Sequence, residues 1–240
     1  RAMSLHVIAA SIAFAIGAWL LWRARPPGYI QSSGAELRSR EWRASLIPFG
    51  VISAMQLGNR YADILLLGYF ADASDVGVYR VVVQAVGLVA FGFQAAIMVM
   101  GPHFARLHAM GDMEKLQQVV TVSSWIIFLS ALPIACIYVA AGDRILGFVF
   151  GVEYTKGYLA LSILAIGRLL ANAMGPVSIL LGMSGYERLT ALTVSAGAGA
   201  NLLLLALLVP IWGLNGAALA SAVALVSWHL VLWRLAIRKI

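Results

Sequence analysis

Apolar residues run along this chain in blocks of roughly twenty, parted by short polar and charged stretches. That block length matches the ~30 Å hydrocarbon core of a bilayer at 1.5 Å of rise per helical residue. The blocks fall at about 5–22, 46–70, 78–100, 119–141, 157–183, 189–212 and 214–237. A membrane β-barrel would instead alternate apolar and polar positions over ~10-residue segments, and this pattern does not. The expected fold class is all-α: a polytopic transmembrane helix bundle of about seven spans. Between the first two blocks, "RARPPGYIQSSGAELRSREWR" reads as a basic connector ending in an amphipathic stretch. After the third, "GPHFARLHAMGDMEKLQQ" reads as a loop.

Composition strengthens this. Of 240 residues, 62% are hydrophobic and 11% charged, and the mean hydropathy is +0.90. Soluble domains carry ~25% charged residues. The net charge of +7 raises the question of nucleic acid, but Arg and Lys sit in the connections, as topology signals do. No nucleic-acid-binding motif accompanies them, so no nucleic-acid partner is expected. Cys136 stands alone in an apolar run and reads as a core residue, with no disulfide framework. His6, His103, His108 and His229 lack metal-ligand spacing, so neither a metal nor a cofactor is expected. No catalytic residue set is evident.

Loop charge sets orientation. One face collects Arg23, Arg25, Arg38, Arg40, Arg43, Arg106, Lys115, Arg188, Arg234, Arg238 and Lys239. The other has Arg1, Arg80, Arg144 and Lys156 beside Asp72, Asp75, Asp143 and Glu153. The basic face should be cytoplasmic in the cell (inner or plasma) membrane, placing the C-terminus inside and the N-terminus outside. The opening "RAMSLHVIAASIAF" lacks the basic region and cleavage site of a signal peptide. The expectation is a piece of a longer protein, with an odd number of helices upstream.

Charged side chains, Arg60, Asp63, Arg80 and Arg168 among them, and several amides lie inside the blocks. At the bilayer centre an arginine or aspartate costs ~2.5–3.5 kcal/mol on insertion scales. In the second block Ser53, Gln56, Arg60 and Asp63 recur at three- and four-residue steps, one helical face. Arg80, Gln84, Gly87 and Gln94 do so in the third, and Arg168, Asn172 and Gly175 in the fifth. The sixth contributes Thr190, Gly197 and Asn201. Such stripes predict a shared interior. The plainer reading is a local Arg60–Asp63 pair, or snorkelling of Arg60, with Arg80 as an interfacial anchor. The small residues of "SAGAGAN" and "GLNGAALASA" read as helix-packing positions. Pro48, Pro133, Pro176 and Pro210 either kink helices or mark their ends.

Four segments in order carry a family resemblance. "NRYADILLLGYFADASDVGVYRVVVQ" resembles the start of the second half of oligosaccharide flippases. These form the polysaccharide transport family, in the superfamily that includes multidrug and toxin extrusion transporters and the peptidoglycan lipid flippase. "GPHFARLHAMGDMEKLQQVV" is similar to that family's central loop, and "VFGVEYTKGYLALSILAIGRLLANAMGPVSILLGMSG" to its tenth helix and the preceding outer segment. "LVPIWGLNGAALASAVALV" resembles its penultimate loop and last helix.

The resemblance implies two six-helix bundles facing each other across a cavity. Residues 1–22 would be the last helix of the N-terminal bundle, 23–45 a basic cytoplasmic linker, and 46–240 the complete C-terminal bundle. It implies a flippase, not an enzyme. The cargo would be a polyprenyl-pyrophosphate-linked oligosaccharide, carried from inner to outer leaflet for cell-surface polysaccharide such as O-antigen. Arg60 and Arg168 would hold pyrophosphate, since the guanidinium fork matches phosphate oxygens. Asn172, Gln56 and Gln84 would meet sugar hydroxyls, and Asp63 is the candidate for ion coupling. The implied partners are the lipid-linked oligosaccharide, membrane lipids, the missing N-terminal bundle, and polysaccharide polymerase and export machinery. Two alternatives stand beside this: a cation-coupled drug or metabolite exporter of the same superfamily, and a membrane glycosyltransferase or polymerase. The first needs acidic cavity groups. The second needs a sizeable loop or a DxD-like pair.

Overall fold

The computed structural model describes the backbone of residues 2–23 and 39–239; within these, the side chains of residues 2–10, 21, 39–45, 48, 49, 60 and 239 are not described. The basic connector 24–38 lies outside the described residues. Among the described residues all regular structure is helical: α1 (Ala2–Arg23), α2 (Ser39–Phe70), α3 (Ala73–Ala109), α4 (Met113–Val149), a 3-10 turn (Val152–Gly157), α5 (Tyr158–Ala173), α6 (Val177–Met183) and α7 (Glu187–Lys239). The chain divides into two compact units, Arg1–Trp42 and Arg43–Ile240. In the first, the Arg23 guanidinium lies over the Trp19 ring at 5.4 Å. The second holds the bundle.

The chain is a multi-pass helical membrane bundle. By length and apolar content α3, α4 and α7 can each cross a bilayer, and the 3-10 turn and α5 with α6, bent by 41° at their junction, reach that length and apolarity only when taken together as one span. That junction is Met174-Gly175-Pro176. Gly175 has φ +75 and abuts Ser124 of α4 so closely that a Cβ would collide with it, and Pro176 caps α6.

α7 is two antiparallel arms. Its 53 residues break at Gly213 (φ 50, ψ −127), three residues after Pro210. Gly216 lies directly against the Leu208 carbonyl, and Gly197 against Trp228, where an added Cβ would stand 2.8 Å from the tryptophan Cβ. In a straight helix residues 197 and 228 would lie about 46 Å apart, so the chain must reverse between them. The reversal falls where the hydrophobic pattern parts its last two blocks.

The segment 101–118, expected as a loop, is mostly helix. At 37 residues α3 runs to about 55 Å, and α4 runs to about 42 Å before it bends at Ala141 (φ −143, ψ 20), both beyond the ~30 Å of hydrocarbon. The fall in hydropathy at Gly101 marks departure from apolar medium, not the end of the helix. Beyond it the pattern turns amphipathic, with Phe104, Leu107 and Leu116 buried and His103, Arg106 and Gln117 exposed. Only residues 110–112 form the turn. There the Lys115 ammonium donates to Asp112 Oδ2 at 2.7 Å, which holds that carboxyl below its usual pKa.

The main core packs small side chains closely. Ala131, Ala135, Ala160, Ala165, Ala217 and Ala218 are buried among Tyr79, Val82, Leu161 and Leu205. Gly167 meets Ala222, where a Cβ would lie 2.7 Å from the alanine Cβ. Where solvent hydrophobicity supplies no drive, such close approach is what gains dispersion energy. A second cluster gathers Phe104, Leu116, Val177, Leu181 and Leu232 at the end holding the α3–α4 turn. At the opposite end Lys156 Nζ donates to Asp75 Oδ1 at 2.7 Å and Ser74 Oγ at 2.9 Å, pinning the 3-10 turn to α3. Cys136, expected in the core, is exposed. In a bilayer an apolar run fits lipid as well as protein, so hydropathy cannot separate the two.

Candidate functional site

Polar side chains buried within the spans form layers at matched depths. Asp63, the one buried carboxylate among the described residues, sits about 10 Å along α2 from its Phe70 end. Tyr79, about 9 Å into α3 from Ala73, donates its hydroxyl to Asp63 Oδ2 at 2.8 Å. The Ile64 backbone N–H donates to Oδ1 at 3.1 Å. Ser221 of α7's second arm stands close to both Asp63 and Tyr79, yet its buried Oγ is not aligned for a hydrogen bond. One turn deeper, Asn201 Nδ2 of the first arm donates to Asn59 Oδ1 of α2 at 2.8 Å, leaving buried Asn201 Oδ1 without a donor. α2 is thus held to α3 and to the first arm of α7 through a polar seam.

A second group lies on α5. Asn172 is buried and donates to the Val89 carbonyl of α3 at 3.2 Å. Arg168, one turn earlier, is half-buried, and its charge reaches His229. His229 Nδ1 bonds the Leu225 carbonyl at 2.9 Å, so this nitrogen carries the proton and Nε2 is the acceptor of the neutral ring.

The residues singled out in the sequence separate accordingly. Asp63, Asn172, Thr190 and Asn201 are buried, whereas Ser53, Gln56, Arg80, Gln84 and Gln94 are exposed on the bundle surface. The Arg60 side chain lies outside the described residues. The stripes therefore divide between buried and exposed positions of this chain. Asn172 is engaged with a backbone carbonyl in this arrangement. Tyr79, Asn59, Ser221 and His229 were not singled out. A buried acid must find a donor, and a tyrosine at similar depth on the next span was the available signal.

A cavity of about 910 Å³ opens between the start of α4, the α5–α6 junction and the end of α7. Arg168, Asn172, Gln56 and Gln84 do not line it. No group of three or more His, Cys, Asp or Glu among the described residues could hold a metal ion.

The backbone is similar to a solved MOP superfamily transporter from Pyrococcus furiosus, whose binding pocket is described as having reverse polarity. The TM-score is 0.67 at 19% identity, over 80% of this chain and 44% of that one. The chain shares the fold of part of that transporter. That likeness agrees with the flippase resemblance read from the sequence. The chain is also 25% identical over 168 residues to a probable low-salt glycan biosynthesis flippase, Agl15, of Haloferax volcanii, covering 68% of this chain. It spans 35% of that relative's length and less than half of the solved transporter's. No family model matches.

Proposed function

We propose that this chain is the C-terminal part of a membrane flippase carrying polyprenyl-pyrophosphate-linked oligosaccharide from the inner to the outer leaflet. Its bundle, 46–240, works by alternating access against an N-terminal bundle whose last helix is 1–22. The fold shared with part of a MOP transporter and the likeness to a glycan flippase support this reading. The C-terminus is cytoplasmic: Arg106, Arg188, Arg234 and Arg238 are exposed at the end that holds it.

The observation that carries the choice of cargo is the state of Asp63. A cationic drug needs acidic groups in the cavity, but the one buried carboxylate among the described residues is tied to Tyr79 within the helix packing. Arg168 is half-buried at about mid-depth of its span, which favours an anionic passenger. Arg168, with Arg60, receives the pyrophosphate; Gln56 and Gln84, exposed on α2 and α3, and Asn172 after release from Val89, serve the sugar hydroxyls. Asp63 takes the coupling ion, with the neighbouring oxygens of Ser221 and Asn201 available to share it. Polysaccharide polymerase and export machinery take up the product.

The test is flipping of a fluorescent polyprenyl-pyrophosphate-linked oligosaccharide by the full-length protein in proteoliposomes. Arg60→Gln and Arg168→Gln should each slow transport by about tenfold or more, the size of one charge-assisted hydrogen bond. Arg168→Lys, which keeps charge but loses the fork, should fall between. Unchanged flipping in both glutamine variants at normal protein levels overturns the assignment. Transport of a lipophilic cation in place of the pyrophosphate lipid would favour the exporter.

A further inference from the structure

The 910 Å³ cavity has a two-sided lining. Apolar walls come from Trp125 and Phe128 on α4, Met174 and Val177 at the α5–α6 junction, and Trp233 and Ile237 on α7. Trp125, Trp233 and Ile237 are exposed on spanning helices, so the medium at this opening is lipid. The polar lining is a single stripe on α4: Glu114, Gln117, Thr121 and Ser124, at helical steps of three and four residues. From Glu114 to Phe128 the groove runs about 21 Å, from the membrane surface deep into the hydrocarbon.

The chemistry of the stripe narrows the occupant. Thr121 donates its hydroxyl proton to the Gln117 carbonyl at 2.8 Å, and Ser124 donates to the Val120 carbonyl at 2.8 Å. Both hydroxyls therefore offer only lone pairs to a ligand. Glu114, the one charged lining residue, is exposed in the first turn of α4. The groove mouth thus offers the Glu114 carboxylate with the Gln117 amide one turn on, an arrangement that attracts an ammonium group. On α7 the exposed Arg234 and Arg238 stand on the face adjoining the lining residues Trp233 and Ile237, about 100° around the helix, so positive charge lies at the same end of the bundle. Negative and positive charge at one end, above an apolar trough, complement a zwitterion with hydrocarbon chains.

We propose that this groove binds a bilayer lipid with a phosphate–ammonium headgroup. The ammonium sits at Glu114 and Gln117, the phosphate faces Arg238, and an acyl chain lies along Trp125, Phe128 and Trp233. The lipid holds the start of α4 to the end of α7 across the α5–α6 junction. The site stands apart from Arg168 and Asn172 and does not rest on the identity of the transported cargo.

Native mass spectrometry of the full-length protein, extracted from vesicles of equal phosphatidylethanolamine and phosphatidylglycerol, reads this directly. Wild type should retain one phosphatidylethanolamine in about tenfold preference, as expected for one charge-assisted hydrogen bond. Glu114→Gln should erase the preference while leaving the fold intact. Thr121→Trp, which fills the trough, should remove the bound lipid. Equal retention of the two lipids, a preference that survives Glu114→Gln, or a lipid that survives Thr121→Trp each overturns the proposal. Cross-linking of a photoreactive residue at position 121 to a protein partner rather than to lipid also overturns it.

Discussion

At the residue scale the seam around Asp63 makes the sharpest claim. Its carboxyl is buried on α2, and the Tyr79 hydroxyl is the side chain that bonds it. Tyr79→Phe removes that donor and leaves Asp63 Oδ2 with only the unaligned Ser221 hydroxyl nearby. Thermal or denaturant unfolding of the full-length protein in detergent should register a loss of about 1–3 kcal/mol. The double variant Asp63→Asn, Tyr79→Phe should lose less than the sum of the two single ones, because the orphaned group is then uncharged. Asp63→Asn alone should keep the fold, since an amide still accepts from Tyr79, while abolishing any dependence of flipping on an ion gradient. An equal loss from Tyr79→Phe with and without Asp63 would show that the pair is not coupled. Asp63 was legible in the sequence as a charge needing a partner. Tyr79 was not, because a pattern along one helix does not state which neighbouring helix faces it.

At the element scale, glycines decide where helices turn and how closely they meet. Gly213 adopts φ 50, ψ −127 at the tip of the α7 hairpin, a conformation outside the left-handed helical well that costs an L-residue about 1–3 kcal/mol. Gly213→Ala should destabilise the bundle by that amount. Gly216→Ala should cost more, because its Cβ would strike the Leu208 carbonyl and move backbone. Gly199 meets nothing within 4 Å, so Gly199→Ala should be neutral or stabilise by up to about 1 kcal/mol. Melting temperatures of the three variants, ranked against wild type, check the order; equal effects would contradict it. The hairpin position was legible because both arms are apolar and a Pro/Gly-containing segment parts them. The helical reach of 101–118 was not, since polarity there reports the surrounding medium while helicity is maintained by the buried stripe of Phe104, Leu107 and Leu116.

For the whole molecule, orientation is the property that loop charge predicts and labelling can read. With Cys136 replaced by serine, a cysteine introduced by Ser74→Cys should react with an impermeant maleimide applied outside intact cells. One introduced by Gln118→Cys, beside the α3–α4 turn, should react only after permeabilisation. The reverse pattern would invert the proposed topology. Class and crossing positions were readable because bilayer thickness imposes a length on every span. Burial was harder: Cys136 and the glutamines at 56 and 84 look internal by composition or periodicity, yet lie on the surface. Lipid and protein interior are alike to a hydropathy scale, so the side a residue faces depends on packing between helices.

The overhang of α3 and α4 has a mechanical corollary. α3, about 55 Å long, acts as a lever: a 10° tilt about its Ala73 end sweeps the α3–α4 turn through about 10 Å. Any rocking of the spans is therefore magnified at that tip, outside the hydrocarbon.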